Sequence, residues 1–243
     1  MSLTLRLKTA STILREEGPA RLLRYTTHRM VESYYERHFG VDTGKEVMLD
    51  SLGIHDPDAV RYSPAPYPAF FRAMKLVGAD LSTSVLVDYG SGLGRIVICA
   101  ASLPLAGVIG IEFAGELVRR CNGNLERARC RFACKEVAII HGNAMTWHVP
   151  PHVNLFHLYN PFLGQTLRAT LGEIARSLHK VPREAWILFG SPWEMSRIMA
   201  AGEIIPKAWV RSAHDVLWPF HKEMTDRDPN GYRYRVYQID SRQ

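Results

Sequence analysis

The sequence predicts an α/β fold: a doubly wound, mostly parallel seven-stranded sheet, closed by an antiparallel C-terminal hairpin and preceded by a helical N-terminal extension. Three observations carry this. From residue 85 onward, short β-branched runs alternate with helical stretches, the pattern of βαβ units with right-handed crossovers. One of those runs passes through a glycine-rich turn directly into a helix. The tail carries two neighbouring strand-like runs, which can pair as a hairpin at a sheet edge.

Residues 1–80 form the extension and 81–243 the sheet domain. A first helical segment ends near Glu17 at Gly18, and Pro19 then occupies the first turn of a longer helix, where proline is tolerated. Leu23, Met30 and Tyr34 keep one apolar stripe at helical spacing along it. Residues 40–68, ending in SPAPYP, read as loop, and a further helix is expected over Ala69–Val77. The strands are expected at 85–89, 107–112, 136–140, 153–159 and 185–190, with the closing pair near 208–213 and 232–239. Helices fill 94–103, 115–129 and 165–180, the last with Leu167, Leu171, Ile174 and Leu178 on one face.

Of the 243 residues 47% are apolar and 22% charged, which excludes disordered, collagenous and coiled-coil classes. Four cysteines are too few for a disulfide scaffold, so reduced thiols and a cytoplasmic location are expected. Arg6 and Lys8 are followed by Thr9, Ser11 and Thr12 rather than an apolar block, so no signal peptide is expected. The uncharged run Ile96 to Ile111 is 16 residues and is broken by Pro104 and Gly107, so no membrane span is expected. The net charge of +6 is modest. Residues 114–135 concentrate Arg119, Arg120, Arg127, Arg129, Arg131 and Lys135, but surface helices are commonly charged without binding nucleic acid.

The chemistry concentrates in VLVDYGSGLGR at 85–95. Gly90, Gly92 and Gly94 let the chain bend sharply and let a ligand approach the backbone. A dinucleotide site wants G-x-G-x-x-G, but that third position is Arg95. The pattern is D-x-G-x-G-x-G instead. An acid at Asp88 suits a cofactor with a positive amino-acid end better than a pyrophosphate.

This motif resembles the first motif of the class I, Rossmann-like, seven-strand S-adenosylmethionine-dependent methyltransferases, and the likeness covers roughly residues 80–240. It implies cofactor contacts for Asp88, Gly90, Gly92 and Gly94. Glu112, ending the second strand, would meet the ribose hydroxyls. Asn143 and Ala144, in HGNA after the third strand, would meet the adenine, with Asn143 in place of the usual aspartate. Tyr62 would close over the cofactor from the preceding loop. A weaker likeness, in D-x-G-S-G-x-G-R with G-x-E, points to the non-SET lysine methyltransferase branch.

YNPF at 159–162 ends the fourth strand, where methyltransferases of planar nitrogens carry Asp/Asn/Ser-Pro-Pro-Tyr/Phe. The resemblance therefore gives Asn160, with Tyr159 beside it, the catalytic positions, although the motif is one proline short. His157, Tyr159 or His148 could assist loss of the acceptor's proton. The expected reaction is methyl transfer from S-adenosylmethionine to an acceptor, nitrogen in a protein side chain or small molecule, with nucleic acid less favoured. The alternatives are an O-methyltransferase, a nicotinamide-dependent oxidoreductase, and a non-catalytic RNA- or partner-binding module. No metal is implied: Cys121, Cys130 and Cys134 form no C-x-x-C pair, and Pro150 and Pro151 break any helix joining His148 and His152. Ser91 and Ser191 lack the glycine two residues earlier that a nucleophile elbow needs.

Overall fold

The computed structural model describes residues 11–190, 193–218 and 232–242. Residues 1–10 and Ser191 therefore lie outside the described residues. Seven strands form one sheet in the order β3-β2-β1-β4-β5-β7-β6. They are β1 (Val85–Tyr89), β2 (Gly107–Glu112), β3 (Glu136–His141), β4 (Val153–Tyr159), β5 (Glu184–Gly190), β6 (Val210–Trp218) and β7 (Tyr232–Asp240). Strands β1 to β5 pair in parallel, and β7 runs antiparallel between β5 and β6. The central strands are mostly apolar, interrupted by Asp88, Asn154 and His157, because helices cover both faces.

The helices are α1 (Pro19–Phe39), α2 (Tyr67–Met74), α3 (Arg95–Ala101), α4 (Gly115–Ala128), α5 (Gly164–Lys180) and α6 (Trp193–Ala201). One core joins Phe39, Tyr67 and Phe70 of the extension with Ile98 of α3 and with Leu86, Val108, Leu155 and Leu188 of the sheet. The other joins Leu167, Leu171, Ile174 and Leu178 of α5 and Met195 and Ile198 of α6 with Val87, Phe156, Ile187 and Phe189. Strand order reverses between β1 and β4. Open α/β sheets bind ligands in the crevice at that switch point, outside the carboxyl ends of the strands.

Several expectations need correction. Leu23, Met30 and Tyr34 do not face the core; they are 65%, 72% and 57% exposed. The packed face of α1 carries Val31, Tyr35 and Phe39 together with Glu32 and Glu36, so its charges conceal it from a hydrophobic period. The helix expected over Ala69–Val77 begins two residues earlier and ends at Met74. Strand β6 runs to Trp218, well past Ala213, and α6 was not anticipated. The loop 40–68 holds a 3-10 turn at Leu49–Leu52 and is tied by antiparallel bridges Val47–Tyr62 and Ala59–Phe162. Among the described residues no helix is long and apolar enough to cross a membrane.

Candidate cofactor and acceptor cleft

The carboxyl ends of β1, β2, β3 and β4 open into one cleft of about 930 Å³, including space shared with solvent. Asp88, Gly90, Gly92, Glu112, Asn143, Ala144, Tyr159, Asn160 and Tyr62 all line it. Of the expected cofactor contacts only Gly94 does not, and its role is packing: a Cβ there would lie 2.5 Å from Cys121 Sγ of α4.

The turn after β1 is built by close approach. The amides of Gly90 and Ser91 both donate to Ile111 O at 2.9 Å, folding the turn over β2. Gly92 has φ 54°, and a Cβ on it would meet the Tyr62 ring at 2.1 Å. A Cβ on Gly90 would lie 2.4 Å from the Pro161 ring. The glycines therefore admit Tyr62 from the extension and Pro161 from the β4 end, as well as any ligand. The Ser91 hydroxyl lines the same cleft, buried and with no hydrogen-bond partner among the described residues.

Asp88 is 3% exposed, and the sheet register sets it between Gly110 of β2 and His157 of β4. Its Oδ1 lies 2.7 Å from His157 Nδ1. Glu112 is 4% exposed and accepts 2.8 Å from the Gly92 amide and 2.9 Å from the Ala114 amide, one bond on each oxygen. Burial raises its pKa, against those amides, which favour the anion. A carboxylate keeps further lone pairs after two such bonds, so Glu112 can still accept from a diol. Asn143 is exposed, and its Oδ1 accepts from the Met145 amide at 2.9 Å, an Asx turn that holds the end of β3.

Asn160 has φ 43° and is the one non-glycine residue with positive φ among the described residues. Asparagine tolerates this left-handed conformation better than most side chains. Beyond it, Phe162 bridges to Ala59, and Asp58 accepts from the Thr166 amide at 2.9 Å in the first turn of α5. Residues 56–62 are thereby fastened over the cleft at both ends, since Tyr62 Oη donates to Thr43 O at 2.8 Å.

Two expected proton acceptors fall away. His148 is 85% exposed, pairs with Glu173 and does not line the cleft. His157 is fully buried between Asp88 and Tyr234 and does not line it either. Only Tyr159 does.

The sequence reading missed Arg95, considered there only as a broken glycine pattern. It is 2% exposed and binds both Glu32 and Glu36 of α1, the Thr43 hydroxyl and Ala65 O, with its guanidinium 4.1 Å above the Tyr67 ring. The available signal was a lone arginine opening an otherwise uncharged helix, RIVICAA. Asp58 and Thr166 were also missed.

No protein-family model and no curated protein matches the sequence. Solved structures do match in fold. A tRNA methyltransferase from Aquifex aeolicus shares 14% identity over 82% of this chain and 90% of that one, with a TM-score of 0.52. A candidate RNA methyltransferase from Pyrococcus horikoshii shares 14% over 79% and 94%, with a TM-score of 0.50. A candidate S-adenosylmethionine-dependent methyltransferase from Methanococcus maripaludis shares 12% over 70% and 84%, with a TM-score of 0.50. The fold is thus that of the class I S-adenosylmethionine-dependent methyltransferases, with the seven-stranded, mostly parallel sheet and antiparallel C-terminal hairpin that the sequence predicts.

Proposed function

We propose that this chain transfers a methyl group from S-adenosylmethionine to a nitrogen acceptor. The observation that carries the reading is the convergence of Asp88, the glycine turn, Glu112, Asn143 and Asn160 on one cleft at four adjacent strand ends. The residues fit the cofactor's chemistry. The Ser91 hydroxyl lacks a hydrogen-bond partner among the described residues, and the acids at the ends of β1 and β2 suit an ammonium and a ribose diol respectively.

When bound, the cofactor supplies an activated methyl on a sulfonium. What remains for the protein is positioning and exclusion of water. Asp88 would hold the ammonium, Glu112 the ribose, and Asn143 with Ala144 the adenine edge. Asn160 would accept a hydrogen from the acceptor nitrogen through its side-chain oxygen, with a backbone carbonyl accepting a second, and so orient the nitrogen's lone pair. Tyr62 and the fastened residues 56–62 keep water out. Either a hydroxyl or an N–H acceptor has to lose a proton, and of the three residues expected to assist, Tyr159 lines the cleft. Arg95, tied into the extension, leaves no place for the third glycine of a dinucleotide turn, which counts against a nicotinamide oxidoreductase.

RNA is named for two of the fold neighbours, so it stands beside protein side chains and small molecules as an acceptor class. Calorimetry with S-adenosylhomocysteine tests the cofactor. Tritiated methyl incorporation into separated protein, RNA and small-molecule fractions then tests the reaction and sorts the acceptors. Absence of homocysteine-product binding would overturn the proposal. Tight RNA binding with a steep salt dependence and no turnover would replace it with a binding module.

A further inference from the structure

We propose that His157, which never reaches the cleft, is a positioning residue that sets the Asp88 carboxylate for the cofactor's ammonium, so that recognition of the cofactor's amino-acid half depends on a buried histidine. The inference rests on the methyl-transfer reading above. Its basis is a chain of three buried side chains: His157 Nδ1 lies 2.7 Å from Asp88 Oδ1, and His157 Nε2 lies 2.9 Å from Tyr234 Oη. All three groups are at most 3% exposed.

The register makes the contact unavoidable. Asp88 of β1 and His157 of β4 are directly opposite at the switch point, and Tyr234 of β7 lies two strands further on. The Phe70 ring packs edge-on to the imidazole with centroids 5.6 Å apart, so the ring has little room to turn. An ionised carboxylate only accepts, so Nδ1 must carry the proton it shares with Asp88. Burial keeps the Tyr234 phenol protonated, able to donate to Nε2 and hold the imidazole in the Nδ1–H form.

A carboxylate this deeply buried is costly without a partner. His157 supplies one on Oδ1 and fixes the plane of the group. Oδ2 accepts no hydrogen bond from the described residues, while Asp88 lines the cleft. The arrangement leaves one oriented oxygen for an incoming cation.

The test compares two ligands on the full chain by calorimetry. S-adenosylhomocysteine carries the amino-acid end, whereas 5′-methylthioadenosine has the adenosine and thioether without it. His157→Phe should weaken S-adenosylhomocysteine binding about tenfold to a hundredfold, the scale of a charge-assisted hydrogen bond, and leave methylthioadenosine within about twofold. His157→Asn, whose amide can donate to Asp88, should recover most of the loss. Tyr234→Phe should weaken only S-adenosylhomocysteine, and it decides the matter if His157→Phe does not fold. Equal losses on both ligands, or unchanged S-adenosylhomocysteine affinity in a folded variant, would show that His157 only packs the core. A wild-type protein that binds neither ligand overturns the methyl-transfer reading itself, a result distinct from both.

Discussion

Arg95 Nη2 donates to Glu36 Oε1 across 2.9 Å, and this contact fixes the N-terminal extension to the helix that leaves the glycine turn. Glu32 binds the same guanidinium, so one buried cation faces two carboxylates from α1. Burial raises the Glu32 pKa in spite of the pull of Arg95. Removing one partner of such a group leaves the other charges uncompensated. Arg95→Met should therefore destabilise the fold by about 3–5 kcal/mol in urea unfolding. Arg95→Lys, which keeps the charge but loses the fork, should fall between. Wild-type stability in Arg95→Met would mean that the extension is held by its aromatic core alone.

This anchor also shows where the sequence stopped being legible. Strands β1 to β5 could be read to within one residue because each is a short, largely apolar or β-branched run bounded by turn or helix signals. The cleft could be read because Asp88, Gly90 and Gly92 are neighbours in the chain. Arg95 could not, since its partners Glu32 and Glu36 lie 63 and 59 residues upstream on a helix whose packed face is partly charged. His157 resisted reading for a similar reason: Asp88 is 69 residues away, and only the strand register brings the two together. Local periodicity carries no information about such pairs.

Gly92 and Tyr62 should be strongly coupled. Alanine at φ 54° costs roughly 1–2 kcal/mol from the left-handed backbone alone, and its Cβ would also displace the Tyr62 ring. Gly92→Ala should destabilise by more than Tyr62 burial in isolation explains. The double variant with Tyr62→Ala should cost less than the sum of the two single changes, by at least ~0.5 kcal/mol. Strict additivity in urea unfolding would remove Tyr62 from the glycine turn.

Glu112 carries a pH dependence of definite sign. Burial places its folded pKa above the ordinary 4.5, so the native state holds this proton more tightly than the unfolded chain. The associated stability is fully present below 4.5 and is lost as pH rises through the raised folded value. Glutamine cannot titrate. The stability of Glu112→Gln relative to wild type should consequently improve as pH rises from about 4 to 7, while its S-adenosylhomocysteine affinity stays at least about tenfold weaker at neutral pH. A difference that is flat with pH would place Glu112 in its ordinary range. Glu112→Ala is the poorer variant, since it strands the Gly92 and Ala114 amides that the carboxylate now accepts from.

Asn160 admits two explanations, and its backbone separates them. At φ 43° the residue could be retained for the turn alone, because asparagine tolerates that conformation. Glycine tolerates it better still, so Asn160→Gly preserves the turn and deletes only the side chain. If the side-chain oxygen aligns the acceptor nitrogen, Asn160→Gly should keep stability and leave cofactor affinity within a few-fold. Turnover should fall about 10²-fold or more, the scale of lost alignment. Asn160→Ala should show the same loss of turnover with an added stability cost of about 1–2 kcal/mol from the strained backbone. The measurements are single-turnover methyl transfer, S-adenosylhomocysteine affinity and urea unfolding on the same preparations. Full turnover in Asn160→Gly would assign the residue to the turn and withdraw the nitrogen-acceptor argument that depends on it. A collapse of cofactor affinity along with turnover would instead place Asn160 in the adenosyl pocket, beside Pro161 and the Gly90 backbone it packs against.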